Sequence, residues 1–330
     1  MPTRRRALLV ILLLALVGLA SLLAALAAGS LPVAPGDLGA ALFGDATSVA
    51  AEVVRELRLP RALAAFACGG LLALAGALMQ VLLRNPLADP YVLGISGGAA
   101  VGALGAMLLG LSAALVHGGA FAGALGATLL VFGLARGDGS WTQTRLLLTG
   151  VIVAAGCGAA VALILSIAPE NQLRGMVYWL MGDLSHAASF WPALAMLALG
   201  ILVALPFSRD LNLLARGDLT ARALGVPVSR LRGGVYVLAA LATAAAVTTT
   251  GSVGFVGLIV PHLVRLAIGN DQRVLLPAAA LAGGALLTLA DTLARTVVAP
   301  QQLPVGVLTA LIGVPVFLYL LTRSPRGGAS

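Results

Sequence analysis

Lysine is absent from all 330 residues. A Walker nucleotide loop needs one, so the chain cannot be its own ATPase of that class. Charge of either sign is scarce, at 10% of residues against 60% apolar, whereas soluble domains run at about a quarter charged and about half apolar. A water-soluble globule is thereby excluded, and lipid is the natural solvent. The only two cysteines, Cys68 and Cys157, sit inside apolar runs as small hydrophobic side chains, so no disulfide framework or metal cluster is implied. Three histidines, His117, His186 and His262, are too dispersed to form a ligand set or a hydrolytic triad.

What the chain has is long apolar runs. Crossing a bilayer takes about 20 apolar residues in a helix, and continuous apolar runs exclude a barrel. Spans are expected near 7–28, 62–83, 91–110, 113–135, 145–166, 190–207, 232–250, 254–268, 274–295 and 305–322, ten in all. The run from Ala7 to Ala28 follows Arg4, Arg5 and Arg6. It exceeds a secretory signal's apolar core of about 7–15 residues and reads as the first span.

All twenty basic residues are arginine, giving a net charge of +8. With the N-terminus cytoplasmic, the inner side collects Arg4, Arg5, Arg6, Arg84, Arg136, Arg145, Arg209, Arg216, Arg222, Arg230, Arg232, Arg265, Arg273, Arg323 and Arg326. The outer side keeps Arg55, Arg58, Arg61, Arg174 and Arg295. That bias is the positive-inside pattern, so the charge needs no nucleic-acid partner. It also favours an even span count with both termini cytoplasmic, in a single membrane domain covering 1–330.

Ion-coupled carriers need ionisable groups at depth. Of twelve acids, eleven fall in loops or at span ends. Asp291 alone lies inside a span, one turn from its outer end and beside Arg295, where a local pair is the expected state. A secondary carrier therefore lacks its machinery, and no convergent catalytic set points to an enzyme. Two ordered glycine series, Gly94, Gly98, Gly102, Ala106, Gly110 and Gly150, Ala154, Gly158, Ala162, predict close helix seams. The outer segment 30–60 is long enough for a short surface helix. The inner segment 208–232 mixes charge with leucines and predicts two short amphipathic helices divided near Arg216 and Gly217. These helices are either a solvated connector or a docking element.

Several long stretches then carry a resemblance. RNPLADPYVLGISGGAAVGA at 84–103, LRLPRALA at 57–64, LNLLARGDLTARALGV at 211–226, GSVGFVGLIVPHLVRL at 251–266, QRVLLPAAALAGG at 272–284 and the tail from Ala290 resemble the permease subunits of the FecCD family. The likeness covers essentially the whole chain. It implies an all-α type II ABC importer permease in a bacterial inner membrane, carrying iron-siderophore, haem or cobalamin inward. Partners implied are a second copy of the chain, two ATP-binding cassette subunits that hold the ATP and Mg, and an external substrate-binding protein. No cofactor is implied on this chain.

By the same likeness, Leu213, Leu214, Ala215, Arg216, Gly217, Asp218, Ala221, Arg222, Leu224 and Gly225 would seat in the cassette subunit. Arg58, Arg61 and Arg295 would meet carboxylates of the binding protein, for which the forked guanidinium is suited. Asn85 and Leu87 would constrict the cytoplasmic mouth, with a second gate at Thr142, Gln143 and Thr144. Gln143 is bulkier than the small hydroxyl residues that some relatives have there.

Overall fold

The computed structural model describes residues 4–29, 33, 35–44, 49–135, 143–185 and 189–323, and among these there is no strand. Thr142 and His186 lie outside the described residues. The long helices are α1 (Arg4–Ala27), α4 (Leu59–Leu82), α6 (Ala113–Ala135), α7 (Gln143–Ile167), α12 (Val228–Thr250), α14 (Gln272–Thr296) and α15 (Val305–Arg323). Shorter ones are α2 (Pro35–Phe43), α3 (Val49–Glu52), α5 (Ile95–Leu108), α8 (Glu170–Met181), α9 (Trp191–Ala204), α10 (Ser208–Leu214), α11 (Asp218–Ala223) and α13 (Val256–Ile268).

Seven helical stretches are long and apolar enough to cross a membrane, namely α1, Val49–Leu82, α6, α7, Trp191–Leu214, α12 and α14, and three shorter apolar stretches, Ile95–Leu108, Val256–Ile268 and Val305–Leu320 of α15, occupy the remaining expected positions. The expected surface helix in 30–60 is α2. The segment 208–232 divides as expected, but its last five residues already belong to α12.

α4 is the hub. Nearly every residue from Ala62 to Leu82 is buried, and α1, α9, α12, α13 and α14 all pack against it. α1 and α7 lie at the periphery, with only 11% of their apolar windows buried, and present Leu8, Leu12, Leu16, Leu148 and Ile152 outward. In lipid this carries no penalty, because acyl chains solvate leucine as well as a protein interior does.

What draws the helices together is therefore close backbone approach. The middle of the first glycine series forms the α5–α6 seam: a Cβ on Gly102 would lie 2.0 Å from Gly119 O, and one on Gly98 would lie 2.3 Å from Gly123 O, whereas Gly94 abuts α7 and Gly110 meets nothing within 4 Å. A second seam at α4 escaped the sequence reading. There Gly69 meets Gly283, and a Cβ on Gly76 would lie 1.8 Å from Gly257 O. The other expected series divides. Gly150 abuts Val92 O, but nothing stands within 4 Å of a Cβ on Gly158, because α7 turns that part of its stripe away from the bundle.

Two further departures from the sequence reading shape the site. The link 167–189 contains α8, which starts after Pro169 and ends at Gly182 in a left-handed conformation (φ 79°). Second, α12 stops at Thr250, where its span was expected to end, but the gap lies inside the bundle: residues 251–255 run non-helically there before α13 begins. Such backbone is tolerated at membrane depth only when its polar groups find partners within the protein. Here Val253 N–H donates to Tyr91 Oη (3.1 Å), Ser252 N–H to Trp179 O (3.4 Å), and the Ser252 and Ser96 hydroxyls pair at 2.9 Å.

Candidate translocation and docking sites

At one end of the bundle, α10 and α11 form a short helical pair. Leu211, Leu214 and Ala221 turn inward and are buried, while Ala215, Arg216, Arg222, Leu224 and Gly225 are exposed. Leu213 and Asp218 are half-buried. Gly217 (φ 119°) makes the turn that separates the two helices, a conformation side chains resist. Asp218 accepts from Arg232 Nη2 at 2.8 Å, which ties α11 to the first turn of α12. Asn212 donates to Asp271 Oδ1 (2.9 Å) and accepts from Gln272 N–H (2.9 Å), which ties α10 to the start of α14.

The most exposed large apolar side chain here is Leu219, at 85%, which the sequence-based set omitted. Its signal was present in the sequence: two positions before inward Ala221, it falls on the opposite side of the same helical turn.

Beside this pair lies the break after α4. Arg84 adopts a left-handed conformation (φ 47°), so the chain reverses at once. Asn85 is exposed and its Oδ1 accepts from Leu87 N–H (2.9 Å), a local turn that presents half-buried Leu87. The two expected gates meet here. Gln143 accepts from Arg84 Nη2 (3.1 Å) and donates to Leu82 O (3.1 Å), bridging the break to the start of α7. Its extra length over a serine or threonine is what spans that gap. Thr144 beside it is exposed.

Asp89 closes the break by accepting from Tyr91 N–H at 2.7 Å. Burial pushes its carboxyl up to about 6, although the Tyr91 N–H works the other way. An ordinary aspartate titrates near ~4. Between those values the folded chain holds a proton that the unfolded chain has released, so stability falls as pH rises through the window. Asp89→Asn keeps the accepting oxygen and should lack this decline. Thermal midpoints of both proteins across that window check it, and parallel curves would refute it.

The opposite end holds the three arginines expected to dock a partner. Arg61 forks onto Asp291, with Nη2 at 2.8 Å from Oδ1 and Nε at 3.0 Å from Oδ2, and its Nη1 donates to Gln302 Oε1 (2.7 Å). Arg295 Nε stands 3.2 Å from Asp291 Oδ2, the local pair expected from sequence. Arg58, 4% exposed, donates through Nη1 to the carbonyls of Leu26 (2.7 Å) and Ala27 (3.1 Å), and Arg295 donates to that of Ala25 (3.2 Å). These carbonyls end α1, have no intrahelical partner and carry the negative end of the helix dipole.

Sequence placed the three arginines on one side but missed that Asp291 and the end of α1 gather them into one cluster. A cavity of about 300 Å³ opens among Gly29, Glu56, Arg58, Arg61, Arg295 and Gln302. Three guanidiniums against Asp291 and Glu56 leave it positive.

Comparison with known proteins places this geometry. The pattern defining the FecCD transport family matches residues 12–323. The Hemin transport system permease protein HmuU of Yersinia pestis is 45% identical over 280 residues, covering 81% of this chain and 82% of that protein. The Vitamin B12 import system permease protein BtuC of Salmonella paratyphi A is 40% identical over 322 residues, covering 96% of this chain and 95% of that protein. Among solved structures, an inward-facing metal-chelate type ABC transporter superposes with a TM-score of 0.83 at 31% identity, covering 96% of this chain and all of that one.

Proposed function

The chain belongs to the FecCD transport family, a multi-pass ABC permease of the cytoplasmic membrane with its ATPase on a partner chain, and on that premise we propose that it imports a bulky metal chelate or corrinoid. Two copies of this single-domain chain flank the path, each with ten spans and cytoplasmic termini. Two cassette subunits hydrolyse ATP with Mg at the α10–α11 end, and an external binding protein delivers cargo at the Asp291 end. The relatives named for hemin and vitamin B12, and the metal-chelate type neighbour, support that cargo class.

The observation that carries this reading is the α10–α11 pair, with Leu219 and Leu224 at 85% and 60% exposed and its inner side tied to α12 and α14. Leucines on a polar, arginine-bearing surface suit a protein groove better than water. Movement of the cassettes would reach the spans through Asp218–Arg232 and Asn212–Asp271, opening and closing the mouth at Asn85, Leu87, Gln143 and Thr144 by rigid-body shifts. At the other end Arg58, Arg61 and Arg295 line the positive cavity that would receive an acidic group of the binding protein.

An ion-gradient carrier is disfavoured by the state of Asp291. It is the acid buried within a long helix among the described residues, and it is held by two arginines rather than free to cycle a proton. Asp89, whose carboxyl is pushed up by burial, sits in the break after α4 and is engaged with the Tyr91 N–H.

Leu219→Glu tests the reading. Loss of one apolar anchor costs about 2 kcal/mol, or about 30-fold in affinity. The cassette subunits should no longer co-purify, and ATP-driven uptake into proteoliposomes should fall accordingly, while the isolated permease keeps its thermal midpoint. Full uptake by the variant would sink the proposed coupling surface.

A further inference from the structure

A larger cavity, about 800 Å³, opens between α5, α6, α8 and the last turn of α12, lined by His117, Arg174, Tyr178, Trp179, Asp183 and Thr248 among others. Its size falls within the range of small-molecule sites. Resting on the transport reading above, we propose that it is a holding site for a planar metal chelate with a vacant axial position, and that His117 ligates the metal through Nε2.

The tautomer carries the inference. His117 Nδ1 lies 2.7 Å from Thr248 O. A carbonyl only accepts, so Nδ1 bears the proton, and in the neutral ring Nε2 bears the lone pair. Metal-binding histidines commonly have this arrangement, with the outer N–H donated to a carbonyl that fixes the ring and raises its basicity.

Thr248 O is free for the task because of the break in α12. In a continuous helix it would accept from Ser252 N–H, but that group donates to Trp179 O. As a terminal carbonyl it also carries part of the helix's negative end.

The surroundings suit the rest of such a ligand. Tyr178 and Trp179 offer aromatic surface, and the Arg174 guanidinium, 5.5 Å from the Tyr178 ring centre, can meet an anionic edge. Asp183, the acid in the lining, is engaged with the N–H and hydroxyl of Ser185.

A structural role for His117 as a cap on α12 is separable. Glutamine at that position can still donate to Thr248 O but is a poor ligand for ferric iron. The intact chain in nanodiscs is titrated with ferric protoporphyrin IX, with metal-free protoporphyrin IX and empty nanodiscs as references. Wild type should change the Soret and charge-transfer bands of the ferric probe and bind it at least ~10-fold more tightly than His117→Gln does, with the metal-free probe binding both alike. Coincident ferric spectra for wild type and His117→Gln would overturn the site, as would a signature that survives His117→Gln and disappears in His262→Gln. If the spectra coincide while uptake by the assembled transporter stays ATP-driven, only this inference fails. Wild-type uptake without ATP would instead overturn the transport reading.

Discussion

Gly76→Val should yield almost no folded, monodisperse protein. Its new Cβ would sit 1.8 Å from Gly257 O and 2.8 Å from Gly257 Cα, and both are backbone atoms that no rotamer change can move. Gly257 is itself held, because Gln80 Nε2 donates to Leu258 O (3.0 Å) one residue on and Tyr91 pins Val253 just before α13. Overpacking an ordinary core costs about 1–3 kcal/mol, because side chains share the strain. Here α4 and α13 must separate, which consumes a large part of a net stability of about 5–15 kcal/mol. Gly126→Val on α6 is the control, since a Cβ there meets nothing within 4 Å. Size-exclusion profiles and thermal midpoints decide; a Gly76→Val protein as stable as Gly126→Val would show that the seam yields.

The second large effect belongs to Asp291→Leu. Its carboxylate, 1% exposed, is the partner of two guanidiniums whose side chains are 12% and 9% exposed. Removing one member of a buried pair strands the remaining charge and costs about 3–5 kcal/mol. Arg61→Leu added to Asp291→Leu should restore part of that, because it removes one of the stranded charges along with its partner. A double-mutant cycle in thermal or denaturant unfolding measures the coupling. A single-variant cost below ~1 kcal/mol, the scale of an exposed pair, would mean that the cluster is hydrated and unimportant to the fold. Binding-protein affinity should be read on the same proteins, since Asp291→Leu also leaves the surface more positive.

The helical positions were legible in the sequence because hydropathy depends on the residues alone. The α10–α11 pair was legible because charge interrupts its leucines at helical spacing. Three kinds of feature were not. α8 carries Glu170, Asn171 and Arg174, so by composition it passes for a loop. The gap after Thr250 was legible as a boundary between spans, but not its place inside the bundle, where only distant partners, Tyr91 and Trp179, satisfy its backbone. Long-range pairing was the third: Arg61 finds Asp291 across 230 positions, and Gly69 finds Gly283 without any local sign. Ends of elements and classes of surface were readable one residue at a time, whereas who faces whom was not.

The interruption between α12 and α13 bears on what keeps this part of the chain in the membrane. At 13 residues and 1.5 Å per residue, α13 is about 20 Å long, short of the roughly 30 Å hydrocarbon layer. Alone it would leave the amides of Ser252 and Val253 without the acceptors that Trp179 and Tyr91 provide. The segment is therefore placed by tertiary packing against residues far earlier in the chain rather than by its own hydropathy.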